Sequence, residues 1–263
     1  DFGTGITDVT VKQTSIDNFA IELPETSLKM DTIHLVYDSL QAFEHFAEEV
    51  HFSFRTLPSQ ITLKDISPFV PVLSHFKEPI TLDMEVKGTV DQLNCSHLEI
   101  VSEEQQFRLR GDVSLQDLSH PQDAYVYGTL SELSANTRGV GFLVRNLNPD
   151  YNGVPPILER LGNISFRGEI SGYFTDLVTY GQLRTSLGDV KTDLKLSADK
   201  SKGLFAYSGA VKTTDFKLGE LLANEQLGEI TFNLDVHGRH ITNQRPTVEL
   251  KGLIASIDYS RYR

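Results

Sequence analysis

The sequence predicts a mostly β protein, in which repeated antiparallel sheet units form an elongated, curled sheet or trough with a few short helices. One nine-residue pattern occurs three times, as ITLDMEVKG at 80–88, ISFRGEISG at 164–172 and ITFNLDVHG at 230–238. Each copy alternates apolar and polar residues and ends on glycine, which is typical of a strand with one apolar and one polar face. Further alternating segments surround each copy, so the chain reads as an array of sheet-forming units.

Near the N terminus the pattern changes from strand to helix and back. Residues 16–23 and 28–37 alternate, and a change of phase near Thr32 predicts a β-bulge. Between residues 38 and 50, apolar side chains recur at three- and four-residue spacing without proline or glycine, which predicts a short amphipathic helix. Residues 51–55 return to alternation.

Each repeat unit is predicted to contain a short helical segment before its nine-residue strand. Pro68 and Pro156 are helix-start signals, and the third segment includes Leu218, Leu221 and Leu222. Turn-like stretches then divide the chain into an N-terminal part and three units. These are residues 1–58 (strands and the amphipathic helix), 59–118, 119–198 (with a long polar stretch and an insertion around 146–154) and 199–263. Because the boundaries are short, we expect one continuous architecture.

Composition restricts the function. The 263 residues are 39% hydrophobic, enough for a substantial core, and the formal charge of −12 with no basic stripe argues against nucleic acid as a partner. Cys95 is the single cysteine, which excludes an intrachain disulfide and a cysteine-based zinc site. No apolar run of about 18 residues is present. Because the chain starts at Asp1, we expect it to be an excised or processed piece of a longer protein.

We predict no catalytic residue, no metal and no cofactor, and therefore no enzyme. The strongest metal candidate is the group Glu44, His45, Glu48, Glu49 and His51, in which side chains share a helix face. A solvated helix face is favoured, because no partner motif supplies a further ligand. Similarly, the Gly139-Val-Gly141 segment lacks both a phosphate-binding motif and a following helix.

The remaining functional candidate is the apolar face of the repeated strand. Its predicted lipid-contacting residues are Ile80, Leu82, Met84, Val86, Ile164, Phe166, Ile170, Ile230, Phe232, Leu234 and Val236. The pattern alone leaves two alternatives open, since a face packed on a second sheet or on helices has the same period as a face lining a lipid groove.

Three segments resemble a known family. They are DISPFVPVL at 65–73 followed by the strand at 80–88, LGELL at 218–222 followed by LGEITFNLDVHG at 227–238, and VELKGLI at 248–254 followed by Ile257 and Tyr259. Their order and style are similar to the repetitive β-rich periplasmic region of TamB and AsmA-like proteins. The resemblance covers roughly residues 15–260 and includes no catalytic signature.

The resemblance implies an internal segment of a periplasmic envelope-biogenesis protein, anchored in the inner membrane by an N-terminal helix outside this segment. Its apolar sheet face would serve lipid transport or outer-membrane protein assembly between the two membranes. The implied partners are phospholipid acyl chains and outer-membrane assembly proteins. The alternative is a non-enzymatic structural or adhesive β-repeat module with a fully internal core. A carbohydrate-active β enzyme is a third hypothesis, weakened because the chain has no tryptophan for stacking on sugars.

Overall fold

A computed structural model describes residues 6–9, 12–23, 25–67, 74–120, 123–147, 154, 156–199, 204–241 and 247–260. These residues form an elongated, curled sheet, which confirms the predicted fold class. The strands are β1 (Ile6–Val9), β2 (Gln13–Glu22), β3 (Ser27–Val36), β4 (His51–Thr56), β5 (Ser59–Thr62), β6 (Pro79–Gly88), β7 (Gln92–Ser102), β8 (Phe107–Gln116), β9 (Tyr125–Ala135), β10 (Ile164–Tyr173), β11 (Asp176–Thr185), β12 (Gly188–Asp199), β13 (Leu204–Lys217), β14 (Leu227–Ile241) and β15 (Thr247–Tyr259).

Every strand pair is antiparallel, and the spatial order of the strands follows the chain. The exception is β5, which lies beside this path and pairs with β3 and β6, so that β4 and β6 become neighbours. Short hairpin connections favour this topology, because a tight turn returns the chain antiparallel to the strand it has just left.

The helices are short, and most of them lie at the same ends of the strands. They are α1 (Phe46–Glu49), α2 (Thr137–Leu147), α3 (Pro156–Arg160) and α4 (Leu218–Leu222), with 3-10 turns at Leu40–His45, Leu63–Ile66 and Glu103–Gln105. The connections that contain α2, α3 and α4 all leave the same ends of their strands, which we call the helical rim. The connection that contains α1 leaves the other end, which we call the opposite rim.

The predicted helices meet different outcomes. The segment 38–50 is helical but mostly 3-10, α3 begins at Pro156 as expected, and α4 forms at Leu218–Leu222. The helix start predicted at Pro68 lies outside the described residues. The long polar stretch after β9 contains a helix that was not predicted, since residues 137–147 form α2. The expectation that no helix accompanies Gly139 and Gly141 is therefore wrong, because both lie within α2.

Helix α2 begins at a capping residue and covers part of the sheet. The Asn136 side chain accepts a hydrogen bond from the Gly139 backbone N–H at 2.9 Å, which satisfies a donor in the first helical turn. Gly139 allows the helix to approach the sheet closely, since a Cβ there would lie 1.9 Å from the Gln106 carbonyl oxygen. Val140 and Phe142 are consequently buried against the sheet.

The main core lies on the apolar side of the sheet. Phe142 packs edge-on against Phe76, with ring centroids 5.5 Å apart. Leu28 from β3 and Ile164 from β10 contact the same cluster of buried side chains, although five strands lie between β3 and β10 along the sheet path. One contiguous cluster therefore covers the apolar side of the sheet from β3 to β10.

Bulges keep the apolar side chains on one face of the sheet where the spacing of apolar residues along the sequence changes from two to three. Met84 and Val86 on β6 pair with Leu98 and Cys95 on β7, and a register shift between these pairs absorbs the extra residue. The bulge predicted near Thr32 is confirmed, since the β3–β4 register shifts between Met30 and Ile33.

The three glycines that end the repeated strand lie in one row of directly paired positions but meet different constraints. Gly88 and Gly172 have φ of 129° and 130°, a conformation that L side chains rarely adopt. A Cβ on Gly238 would instead lie 2.2 Å from Cζ of Tyr207, because the tyrosine ring covers this glycine. The last position of the repeat therefore requires glycine for its backbone conformation in two copies. In the third copy it requires glycine because the Tyr207 ring occupies the space of a Cβ.

These constraints predict unequal effects of alanine. We expect Gly172→Ala to lower the free energy of unfolding by about 1–3 kcal/mol, because the required φ is strained for alanine and the new Cβ would lie 2.2 Å from the Asp176 carbonyl oxygen. Gly238→Ala should cost less, because the half-buried Tyr207 ring can move aside. Urea denaturation measures both. Adding Tyr207→Ala should suppress the Gly238→Ala effect but not the Gly172→Ala effect; equal losses that ignore Tyr207 would contradict this account.

Candidate functional site

Equivalent residues of the three sequence repeats lie side by side across ten strands. The third residues of the copies, Leu82, Phe166 and Phe232, belong to one row of directly paired positions that crosses β6 to β15. We call this set the inner row: Leu82, Ile100, Leu109, Leu133, Phe166, Leu183, Val190, Thr213, Phe232 and Ile254. Nine of its ten side chains are apolar, and we call the side of the sheet that carries it the inner face.

The other predicted lipid-contacting residues also lie on the inner face, and equivalent positions again share a row. Val86, Ile170 and Val236 share a second row, and Met84 and Leu234 share a third. The remaining three, Ile80, Ile164 and Ile230, lie on the same face close to the helical rim. All eleven predicted residues therefore face the interior of the curl. Residues at the same position in the three copies therefore lie at the same level between the two rims of the sheet.

Access to the inner face differs along the sheet. Leu82 is 5% exposed and lies with Ile80 in the main core, while Met84 and Ile164 pack against that core. Val86 is also buried. Phe166 and Phe232 are half-buried, and Ile254 at the far end of the inner row is 51% exposed. The inner face thus changes from a packed core near β6 to an accessible apolar surface near β15.

The helices explain part of this difference. Helix α2 covers the inner face near β6 to β10. Farther along, Leu161 next to α3 and Leu218 and Leu221 of α4 pack on the buried side chains of Leu187, Phe216 and Ile230. Arg160 of α3 donates a hydrogen bond to the Leu221 carbonyl at 3.1 Å and so connects α3 with α4. The cover extends from the helical rim and leaves Ile170, Leu234 and Val236 half-buried.

Four glycines lie in the middle of the inner face. The row that contains Met84 and Leu234 also contains Gly111, Gly168, Gly181 and Gly252. The Phe166 ring lies over Gly168 and Gly181, where added Cβ atoms would approach it to 2.9 and 2.6 Å. The sequence patterns do not assign these glycines a role. Their alignment with apolar positions of the repeat is the signal that could have placed them on the inner face.

The outer face is polar and carries cross-strand ion pairs. Arg110 donates a hydrogen bond to Glu99 at 2.7 Å, and Lys195 lies 3.2 Å from Asp176. Hydrogen bonds from Ser197 and Lys195 lower the pKa of Asp176 below its ordinary value. Opposite charges on adjacent strands stabilise a sheet surface that faces water. The two faces of the sheet therefore have the opposite polarity that the alternating pattern predicts.

At the opposite rim, a chain of aromatic rings leads from the surface to the inner face. The ring centroids of Tyr37 and Phe43 are 4.8 Å apart, those of Phe43 and Phe46 are 6.1 Å apart, and Phe46 stacks on Phe52 at 6.3 Å. Phe52 in turn stacks on Phe54 at 6.0 Å. Phe43 and Phe46 are exposed, so apolar surface continues from the inner face onto the 3-10 turn and α1.

The residues suggested for metal binding do not assemble into a site. Glu44, His45, Glu48, Glu49 and His51 are exposed around α1. Within the described ranges, no group of three or more histidine, cysteine, aspartate or glutamate side chains is arranged to hold a metal ion. The arrangement of these residues matches a solvated helical surface.

Cys95 belongs to the inner face and is buried beside Val86 and Val113. Burial raises the pKa of its thiol to about 11, because the thiolate would lose its hydration, and the Asp112 and Glu85 carboxylates add to the rise. The thiol is therefore neutral and poorly nucleophilic near neutral pH.

This environment predicts a slow thiol reaction. At about pH 8, Cys95 in the folded protein should react with Ellman's reagent at least about a hundredfold more slowly than in guanidinium chloride, because a rise in thiol pKa from 9.0 to about 11 lowers the thiolate fraction by that factor. The raised pKa also stabilises the fold below about pH 9, and this contribution should be lost as the pH rises toward 11. Comparable rates in the folded and unfolded protein would contradict this assignment.

No protein-family model, curated protein or solved structure matches the chain. In the part of the chain that the structure describes, no helix combines the length and apolar character needed to cross a membrane. The geometry of the inner face is consequently the main physical basis for assigning a function.

Proposed function

We propose that the chain is a segment of a periplasmic envelope-biogenesis protein whose inner face binds phospholipid acyl chains and allows them to move between the inner and outer membranes. The observation that carries this proposal is the inner row, an apolar path across ten strands that becomes accessible toward β15. The periplasmic location and the inner-membrane anchor rest on the resemblance to TamB and AsmA-like proteins.

The dimensions of the inner face suit acyl chains. The six accessible strands from β10 to β15, spaced about 4.8 Å apart, make a path of roughly 24 Å, longer than the hydrocarbon core of one bilayer leaflet. The face offers apolar contact without a matching set of hydrogen-bonding groups, so it suits hydrocarbon better than a sugar or a nucleotide. The polar outer face remains hydrated, which lets the segment stand in water while its interior holds lipid.

Burial of hydrocarbon would supply the binding energy. Each buried methylene contributes about 0.8 kcal/mol, and this contribution does not depend on a particular headgroup. Because neighbouring positions of the inner row are chemically alike, a bound chain can shift from one strand to the next with little change in free energy. Movement then needs no acid, base or nucleophile.

The accessible part of the inner face, from β10 to β15, is the proposed binding region. Phe166, Ile170, Phe232, Leu234 and Val236 line it. Ile80, Leu82 and Val86 are covered by neighbouring side chains, and a lipid reaches Ile80 and Leu82 only if α2 moves away. This restriction shifts the proposed contacts toward the C-terminal half of the chain.

A specific observation also favours a second function. The closed core around Leu82, Phe107 and Phe142 is what a structural β-repeat module with an internal core requires. Under that alternative, β6 to β10 form a rigid support, and the exposed apolar surface near β15 contacts protein instead of lipid. Assistance to outer-membrane protein assembly would use the same surface.

A single tryptophan separates these functions. The chain contains no tryptophan, so Phe232→Trp introduces a unique fluorophore on the inner row. If acyl chains bind there, phospholipid should shift the Phe232→Trp emission to shorter wavelength, and phospholipid brominated on its acyl chains should quench it. Tyr180→Trp provides the control, because Tyr180 is 65% exposed on the outer face. An unchanged Phe232→Trp spectrum with saturating lipid would overturn the lipid proposal.

A charge in the same region tests the binding energy. Leu234→Glu should weaken uptake of a fluorescent fatty acid at least about tenfold, because a carboxylate on the inner face must keep its hydration. Tyr180→Glu, on the outer face, should leave uptake unchanged. Equal binding by both variants would place the fatty acid outside the inner face.

A further inference from the structure

A patch of tyrosine rings interrupts the polar outer face. Four of the nine tyrosines in the chain lie in three successive outer rows of the adjacent strands β9, β10 and β11, and we call them the tyrosine patch: Tyr125, Tyr127, Tyr173 and Tyr180. Tyr127, Tyr173 and Tyr180 are 46%, 50% and 65% exposed, so about half of their surface is accessible. Tyr125 packs edge-on against Tyr173 with ring centroids 5.4 Å apart, which restrains both rings.

The tyrosine patch lies in the interior of the sheet. Strand β9 pairs with β8 and β10, and β11 pairs with β10 and β12. A strand that joins either end of the sheet extends it sideways and leaves the outer face of these three strands uncovered. The accessibility of the tyrosine patch is therefore a property of this face and does not depend on where the sheet ends.

A polar groove of about 370 Å³ adjoins the tyrosine patch at Tyr180. The outer-face side chains that line this groove together with Tyr180 are Thr129, Arg167, Glu169, Gln182 and Lys191. They supply a hydroxyl, an amide, a carboxylate and two cations, and therefore both donors and acceptors of hydrogen bonds. A ligand that fits the groove must carry several hydrogen-bonding groups on a small body.

The two cations of the groove favour a ligand with negative charge. Elsewhere on the same face cations pair with acids, as Lys195 does with Asp176. Within the described ranges, Arg167 and Lys191 form no ion pair. Lys191 also lies directly opposite Lys212, and like charges at such positions destabilise a sheet. An arrangement that lowers stability without a compensating contact is typical of a functional site.

The accessible area of the tyrosine patch suits a small ligand better than a protein. A tyrosine side chain buries about 150–250 Å² when it is fully covered, so three half-exposed rings offer roughly 300 Å². A stable protein interface buries about 800 Å² on each partner. The rings therefore cover one face of a small molecule but are too few for a stable protein interface.

An acidic sugar matches the tyrosine patch and the groove together. The C–H face of a sugar ring packs on an aromatic ring, while its hydroxyls form hydrogen bonds with groups such as Glu169 and Gln182. A carboxylate on the sugar would lie against Arg167 and Lys191. Hydrocarbon would leave the polar groups of the groove without hydrogen bonds, and a bare inorganic anion would use neither the rings nor Glu169.

We propose that the tyrosine patch and the groove beside it form a binding site for an oligosaccharide that carries carboxylate groups. The rings hold the sugar backbone, and Arg167 and Lys191 select the acidic groups. The chain has no tryptophan, and these tyrosines supply the stacking surface instead. The site lies on the face opposite to the proposed lipid-contacting residues, so this inference does not depend on lipid binding.

Matched substitutions locate the site. Tyr180→Ala should weaken binding of tetragalacturonate about fivefold, and Lys191→Gln about threefold. Tyr259→Ala and Lys29→Gln are the controls and should leave binding unchanged, because Tyr259 is 52% exposed on β15 and Lys29 is exposed on the distant strand β3. All four side chains are exposed, so we expect the variants to fold. Equal losses in the control variants would place the sugar elsewhere and overturn the proposal.

Two forms of one tetrasaccharide test the role of charge. In isothermal titration calorimetry in about 0.1 M sodium chloride, tetragalacturonate should bind at least about fivefold more tightly than its fully methyl-esterified form, which keeps the rings and hydroxyls but loses the carboxylates. Sodium chloride at about 1 M should remove most of this difference, because salt screens exposed charges. Lys191→Gln should leave binding of the methyl ester unchanged, whereas Tyr180→Ala should weaken it.

The other outcomes each contradict part of the proposal. Absence of binding by tetragalacturonate would overturn the site, and equal binding of the methyl ester at about 0.1 M salt would overturn the selection of acidic groups. Sodium sulfate that binds as tightly as tetragalacturonate, with the same loss in Lys191→Gln, would overturn the sugar in favour of a bare anion.

Discussion

The phase of the antiparallel register is the constraint on which the rest of this structure depends. Side chains alternate between faces with a period of two, so a slip of one residue in any strand would move its apolar residues to the polar face. From β6 to β15, paired positions remain in phase through every bulge. The burial around Leu82, the ion pairs of Arg110 and the accessible surface near Ile254 all follow from that alignment.

The register also explains which features the sequence could predict. Alternation is a local property, so the repeated strands, their faces and the bulge near Thr32 follow from short segments of sequence. The alignment of Leu82, Phe166 and Phe232 was implied by the equal positions of these residues in the three copies. Their unequal exposure was not, because it depends on which helices lie over each copy.

Helix α2 shows why the cover of the inner face escaped prediction. Gly139 and Gly141 lower helix propensity and read as a loop, yet Gly139 is what allows α2 to approach the Gln106 carbonyl. Asn136 as a capping residue and the spacing of Val140, Leu143 and Val144 were the available signals. A tertiary contact overrides local propensity here, and no pattern within the helix reports the partner that it packs on.

The order of strands along the sheet has a consequence for how such a chain can vary in length. With the exception of β5, strands pair with their immediate neighbours in the sequence, so each hairpin is a nearly independent step across the sheet. Insertion or loss of one hairpin would change the width of the sheet across its strands by about 10 Å and leave the polarity of its two faces intact. Evolution can therefore change the width of this sheet in steps of two strands.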